Sequence, residues 1–296
     1  MYGRRYFEGW YIKHQNADGT LALIPGVSAD ARGRRTAFVQ VITHRGVYQA
    51  DYPYESFSAD RRHFRLRVGD CLFGPAGARI DIDRPDFRCR GELAYGPFTP
   101  LRYDIMGPFC AVPFMECRHG VVSMGHTVDG EVELDGERYL FERDAGYIET
   151  DRGRSFPQSY AWVQCNGFAG PRDSVMAAVA TIPMGPVRFT GCLCALTLGG
   201  RETRLASYLG ARVQKTREDC IRIRQGNLLF EAQRLAGQTQ PLRAPLGGAM
   251  SCVIHEAARC TVRLRLLRGE RVLWENTCDS AAFERVDSLT ASRYNG

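Results

Sequence analysis

The feature that most constrains this chain is its period. Apolar residues return at every second position, in short runs such as Thr36–Thr43, Phe64–Val68, Arg79–Ile82, Gly130–Leu134, Val175–Thr181, Thr203–Tyr208, Cys220–Arg224, Asn227–Ala232 and Thr261–Leu267. A period of two places successive side chains on opposite faces of a strand, whereas a helix needs 3.6. Turn chemistry separates the runs: Asp18-Gly19, Asp129-Gly130, Asp135-Gly136, Gly199-Gly200 and Arg268-Gly269-Glu270. Glu131-Val132-Glu133-Leu134, then Asp135-Gly136, then a return run to Tyr139, predicts a hairpin, because such turns require positive φ at their centre. Few segments could be helical, and Ser280–Ser292 is expected as one short helix. The fold class is therefore all-β, an antiparallel barrel or sandwich with little helix. With 296 residues the chain is too long for one such barrel, so two consecutive halves are expected, residues 1–150 and 151–296, sharing an interface.

Composition excludes several function classes. A hydrophobic share of 44% with 24% charged residues is that of a globular protein, so disorder is excluded. No stretch approaches the ~18 consecutive apolar residues of a membrane helix. The start, Met1-Tyr2-Gly3-Arg4-Arg5-Tyr6, carries no apolar signal-peptide core, so a cytoplasmic protein is expected. Exposed aromatics at a barrel mouth could touch lipid peripherally, but no amphipathic anchor is evident. The net charge of +6 is mild and spread along the chain. All but Lys13 and Lys215 of the 39 cationic side chains are arginines, and the densest cluster, Arg61, Arg62, His63, Arg65 and Arg67, alternates with apolar residues as a solvated strand face does. No nucleic-acid partner is expected. Eleven cysteines include no C-x-x-C pair, and Cys192 and Cys194 share one strand face, so mostly reduced, buried thiols are expected. No His-x-His or His-x-x-x-His spacing suggests a metal, and neither metal nor cofactor is expected. Oligomeric state does not follow from the sequence.

Three segments concentrate aromatic and ionisable residues. In Tyr6–Lys13, Tyr6, Glu8 and Trp10 share one face of a strand, while Phe7, Tyr11 and Lys13 share the other. Both faces are largely aromatic, so Glu8 would be buried, either as an acid of raised pKa or in a structural pair with an arginine such as Arg154. Met106–His119, with Gly107, Pro108 and Pro113, reads as an apolar loop at a cavity mouth or seam, leading into a strand on which His119 is either a structural or a catalytic imidazole. The third runs from Gly146-Tyr147-Ile148-Glu149 through Arg154 to Asn166. Its end places Tyr160, Trp162, Gln164 and Asn166 on one strand face, the composition of an organic-ligand pocket or of a Trp core with solvated amides.

Tyr6–Lys13, Gly146–Glu149 and Ser155–Asn166 resemble the signature blocks of the tocopherol cyclase family, and Met106–His119 resembles its bacterial tocopherol cyclase-like members. The resemblance runs from about Tyr6 to about Glu284. One departure stands out: this chain reads Glu149-Thr150-Asp151-Arg152-Gly153 where the family usually has Glu-Lys-Asn/Asp-Trp-Gly. The family is similar to carotenoid 1,2-hydratases and AttH-like proteins, which implies paired lipocalin-like barrels. The resemblance also implies lyase or isomerase chemistry on an isoprenoid alkene such as a prenylated quinol. Protonation gives a tertiary carbocation, captured by a phenol oxygen or by water, without metal or redox cofactor. Such chemistry needs an acid that stays protonated near neutrality in a dry site, with aromatic faces to stabilise the cation. Glu149 is the preferred donor over Glu8, with His119 as the base. Trp10, Tyr11, Tyr147, Tyr160 and Trp162 are candidate walls, and Arg154, Gln164 and Asn166 would orient the ligand. The alternative is a non-catalytic barrel that binds the same hydrophobic small molecule. A serine or cysteine hydrolase lacks the Gly-x-Ser-x-Gly elbow.

Overall fold

The computed structural model describes residues 5–112, 115–168, 173–184, 187–214 and 219–287. The strands form two antiparallel sheets with matching topology. The first opens with a four-stranded meander, β1 (Tyr6–Gln15), β2 (Thr20–Ala29), β3 (Arg35–Thr43) and β4 (Val47–Pro53). A second meander follows, first β5 (Phe57–Asp60), β6 (Arg65–Val68), β7 (Cys71–Gly74) and β8 (Gly77–Asp83), then β9 (Arg88–Tyr95), β10 (Cys117–Leu134) and β11 (Glu137–Gly153). The order in space is 4-3-2-1-11-10-9-8-7-6-5, so the first strand is zipped against the last.

The second sheet repeats this plan. It runs through β12 (Ser159–Cys165), β13 (Ser174–Met184), β14 (Val187–Leu198), β15 (Arg201–Ala206) and β16 (Arg212–Val213). It ends with β17 (Cys220–Gln225), β18 (Leu228–Ala236), β19 (Gln240–Leu246), β20 (Ala249–Arg268) and β21 (Arg271–Val286). Again the first strand pairs with the last, β12 with β21, and β19 branches off β20. The all-β expectation of two barrel-like sheets is met.

The hairpin at Asp135-Gly136 forms as the sequence requires, with φ of 50° and 86° and Leu134 opposite Glu137. Asp129-Gly130, expected as a turn, is instead a bulge inside β10. Glycine is required there because φ is 126° and an added Cβ would lie 2.3 Å from the Glu92 carbonyl oxygen. The helix expected over Ser280–Ser292 is also corrected: the chain continues as β21 to Val286, and residues 288–292 lie outside the described ones. Ala281, Ala282 and Phe283 are buried consecutively, so both faces of this strand are apolar and the alternation that marks a strand is lost. Most described cysteines are free, but Cys165 and Cys278 are joined as a disulfide between β12 and β21, which corrects the expectation for that pair.

Three apolar clusters fill the molecule. One lies inside each sheet, around Trp10, Ile12 and Phe141 in the first and Phe230, Leu264 and Phe283 in the second. The third is the seam between the sheets, where Tyr11, Tyr147 and Trp162 meet Met106, Met176 and Ile254. The segment before β10 fastens the seam. Arg204 donates from Nη1 to the Asp104 carbonyl (2.9 Å) and from Nη2 to the Tyr103 carbonyl (3.0 Å).

Candidate active site

Strands from both halves bring the site together. On β1 and β11, Tyr11 stands opposite Glu149; on β12 and β21, Trp162 stands opposite Glu284, which in turn faces Glu256 on β20. The inner faces of these rows enclose a cavity of about 190 Å³ at the seam. Its wall is mainly apolar and aromatic. The Phe7 and Phe156 rings meet edge to face at 5.4 Å, Phe156 meets Tyr160 at 5.8 Å, and Tyr11 meets Trp162 at 5.4 Å. Met106, Phe109 and Met115, from the loop before β10, close one side.

The polar groups of this cavity pair across the seam. Tyr11 of the first half donates its hydroxyl to Glu256 of the second (2.6 Å), and Trp162 of the second donates its indole N–H to Glu149 of the first (3.2 Å). Glu149 also accepts from the Tyr147 hydroxyl at 2.6 Å, and Glu284 accepts from Tyr160. Among the described residues the charged neighbour of Glu149 is His119, Nε2 to Oε2 3.7 Å, and no ion pair reaches Glu256 or Glu284. Nδ1 of His119 hydrogen-bonds Asp151 at 3.1 Å, and the Cys117 thiol donates to the same carboxylate oxygen.

Burial sets the electrostatics. Taking a carboxylate out of water favours its neutral form, so desolvation pushes Glu149 up to about 7, with the His119 charge pulling down and Asp151 pushing up. Glu256 is pushed up to about 7 by burial, against the Tyr11 hydrogen bond and the Lys13 charge. Glu284, buried beside Glu256 and Glu149, is pushed well above the carboxylate range. Burial alone would lower His119, but Asp151 and Glu149 overcome this and raise it to about 9. His119 is thus an imidazolium at neutral pH. The donor atoms of His119, Glu149 and Asp151 converge within 4.8 Å. These residue types can ligate a metal ion, for which the imidazole would first give up its proton.

The structure brings Glu149, His119, Tyr11, Tyr160 and Trp162 to this cavity. Tyr147 reaches it through its hydrogen bond to Glu149. Glu8 and Trp10 lie on the other face of β1: Trp10 packs in the core of the first barrel, and the Glu8 carboxylate is gripped by two nitrogens of Arg61 at 2.5 Å each. The Glu8 partner is therefore Arg61, whereas Arg154 is exposed and off the cavity. Gln164 and Asn166 share the face of Trp162 but are consumed further along it. Gln164 accepts from Lys13 Nζ (3.1 Å) and donates to Asn166 (3.1 Å), which donates to the Gly146 carbonyl (2.8 Å). Gln164 and the Ser280 carbonyl (2.7 Å) accept from the buried Lys13 ammonium, which burial lowers to about 7. Asp151, Glu256 and Glu284 were not singled out from the sequence. The runs of the latter two, Ile254-His255-Glu256-Ala257 and Ala282-Phe283-Glu284, show only an acid near apolar residues, and the register of the sheet decides where each stands.

Comparison with known proteins agrees with this architecture. A tocopherol cyclase-like family model matches residues 86–188. A chloroplastic protein of Oryza sativa subsp. japonica named as a probable tocopherol cyclase is 33% identical over 101 residues, 34% of this chain and 22% of that protein. The chloroplastic tocopherol cyclase of Zea mays is 30% identical over 101 residues, 34% of this chain and 21% of that protein. The match thus spans about a fifth of the length of these relatives. Residues 86–188 are similar to the tocopherol cyclase-like family. That span carries His119, Glu149, Asp151, Tyr160 and Trp162, but not Tyr11, Glu256 or Glu284. Two solved structures share the fold over the whole chain. An AttH candidate from Nitrosomonas europaea has a TM-score of 0.54 at 12% identity, covering 97% of this chain and 94% of that one. Kievitone hydratase from Nectria haematococca has a TM-score of 0.54 at 9% identity, covering 97% and 89%.

Proposed function

We propose that this protein is an acid catalyst of the cyclase or hydratase type, acting on an alkene of an apolar, isoprenoid-like substrate in the seam cavity. The observation that carries this reading is the environment of Glu149, a buried carboxyl pushed up to about 7 with no guanidinium to hold it ionised. A general acid works best when its pKa lies near the working pH, because it is then both protonated and willing to give the proton up. The family match over residues 86–188 and the hydratase among the fold relatives support the same chemistry.

In the proposed step the Glu149 proton moves to the less substituted alkene carbon. A C–H bond forms, the π bond breaks, and the partner carbon becomes a tertiary cation. The faces of Trp162, Tyr11 and Tyr160 then stabilise the cation by about 2 kcal/mol each when desolvated. A phenol oxygen of the substrate, or a water, forms the new C–O bond. The proton it releases returns to the Glu149 carboxylate, so the enzyme is regenerated. In this reading His119 is not the base but acts through Glu149: protonated beside Asp151 and Glu149, its charge lowers the Glu149 pKa.

The test is incubation in D₂O with a panel of prenylated hydroquinones and isoprenoid alkenes, read by mass spectrometry. The expected result is a cyclised or hydrated product carrying one carbon-bound deuterium, abolished by Glu149→Gln. Turnover by Glu149→Gln at the wild-type rate removes Glu149 as donor. Ligands that bind but return unchanged and undeuterated leave the barrel as a binding protein.

A further inference from the structure

The open end of the first barrel holds a second pocket, on the face of β10 and β11 turned away from the seam. Its volume is about 510 Å³. Its floor is apolar: Trp10 and Phe64 are buried, and Phe64 packs on Phe98 with ring centroids 5.8 Å apart. Its rim is basic. Glu8 of β1, Arg152 of β11 and Arg118 of β10 stand in one row across three strands. Arg61 and Arg62 lean in from the turn after β5.

The charges at this rim do not balance. Arg61 occupies both oxygens of Glu8, so that carboxylate has little to offer the next strand. Asp104, the other acid on the pocket wall, accepts the Met106 backbone N–H on Oδ1. Among the described residues no hydrogen bond or ion pair reaches the Arg118 or Arg152 guanidinium. Yet these two residues are direct cross-strand partners, an arrangement that like charges disfavour in the absence of an anion between them. The backbone adds a second oddity. Phe64 has φ of 47°, a left-handed conformation that a bulky residue rarely adopts, and this conformation sets its ring into the pocket floor.

We propose that this pocket binds a small amphipathic oxyanion, a carboxylate or phosphate on an aromatic or short isoprenoid body. Arg118 and Arg152 share the oxyanion in the forked geometry that guanidinium groups offer carboxylates and phosphates. Trp10 and Phe64 cover the apolar part. His119 and Met106 line both this pocket and the seam cavity, but Arg118 and Arg152 line this pocket and not the seam cavity, and the binding proposed here does not depend on the chemistry proposed there.

The test uses cinnamate, phenyl phosphate and neutral cinnamyl alcohol as probes in isothermal titration calorimetry at low salt. The expected result is at least about 10-fold tighter binding of one or both anions than of the alcohol, weakening as salt is added. The Arg118→Gln/Arg152→Gln variant should lose that advantage while keeping the wild-type affinity for the alcohol and the wild-type Tm. Arg152→Gln alone, at an exposed position, gives the same readout if the double variant is compromised. Preference for cinnamate only or for phenyl phosphate only identifies the headgroup. Equal binding of all three probes, no binding at millimolar concentration, or an anion preference that survives loss of the arginines would overturn the proposal.

Discussion

Glu149 and Glu284 occupy the same place in the two halves of the molecule. Each stands on the last strand of its sheet, opposite an aromatic residue on the first strand, Tyr11 in one case and Trp162 in the other. Both are buried, and each accepts a hydrogen bond from a tyrosine. Two residues further along, the halves part: the first has Asp151, paired with His119 on the neighbouring strand, where the second has Val286 and Ile254 in the apolar seam. Burial, with the Glu256 and Glu149 carboxyls close by, leaves Glu284 well above the carboxylate range, a proton holder. Burial beside an imidazolium brings Glu149 back to about 7, where the proton can be given away. In the proposed mechanism the same fold position is donor or bystander according to its neighbours, an imidazolium beside Glu149 and a second carboxyl, Glu256, facing Glu284.

The sharpest way to break this comparison is to neutralise each carboxyl in turn. Glu149→Gln preserves shape and should lower kcat by about 10²–10⁴-fold, the usual size of a general-acid contribution. Glu284→Gln, which replaces an already neutral group by its isostere, should cost less than about 10-fold. Both are read as initial rates of deuterium incorporation. If Glu284→Gln shows the larger loss, the roles of the halves are reversed.

Removing the charge that separates them is the next test. His119→Gln should make Glu149 resemble Glu284. Without the imidazolium the carboxyl pKa rises, so the alkaline limb of the pH–rate profile, set at about 7 by Glu149, should move to higher pH. At the same time the stronger hold on the proton should lower kcat by about 10-fold, in the manner of a Brønsted relation. An unmoved limb would show that His119 does not tune the acid.

Much of this contrast was legible in the sequence, but unevenly. Tyr160 and Trp162 on one face, Tyr11 in an aromatic strand and Glu149 in a dense segment were found because strand alternation is local. Trp10 was a wrong wall because β1 is buried on both sides, and nothing within the strand says which side is the seam. Gln164 and Asn166 look like ligand groups until Lys13, 151 residues before Gln164, is seen to claim them. Glu256 and Glu284 enter only through the register of β20, β21 and β12, which is a property of the sheet and not of any one run.

Stability should carry the same signature with a smaller amplitude. Glu149 and Glu256 both have folded pKa values of about 7, above the ordinary 4.5. At these two carboxyls the native state binds more protons than the unfolded chain between those limits, so their contribution to the unfolding free energy falls as pH rises. The carboxyl contribution is fully present below about pH 4.5 and lost on passing pH 7, a change on the order of a few kcal/mol. His14 and His126, which burial pushes down to about 4 and about 3, and Lys13, lowered to about 7, act with the opposite sign, so the carboxyl part is read as the difference in urea midpoint between wild type and the Glu149→Gln/Glu256→Gln variant from pH 5 to 8. That difference should shrink as pH rises through 7, and a difference that stays constant over this window would contradict the buried-acid picture.

The smallest effect tests the bond that ties the halves across the seam. Tyr11→Phe removes the hydroxyl that donates to Glu256 at 2.6 Å and leaves the ring against Trp162. The cost depends on the state of the acceptor, because a hydrogen bond to an ionised carboxylate contributes about 1.5–3 kcal/mol and a neutral one about 0.5–1.5 kcal/mol. At pH 8 Glu256 is mostly ionised and loses its hydroxyl donor, whereas at pH 5 it is mostly protonated. Tyr11→Phe should therefore destabilise by about 2 kcal/mol at pH 8 and by about 1 kcal/mol or less at pH 5. In the Glu256→Gln background the pH dependence of the Tyr11→Phe penalty should vanish, since the amide does not titrate. A penalty that is the same at both pH values in the wild-type background would place the Glu256 proton elsewhere.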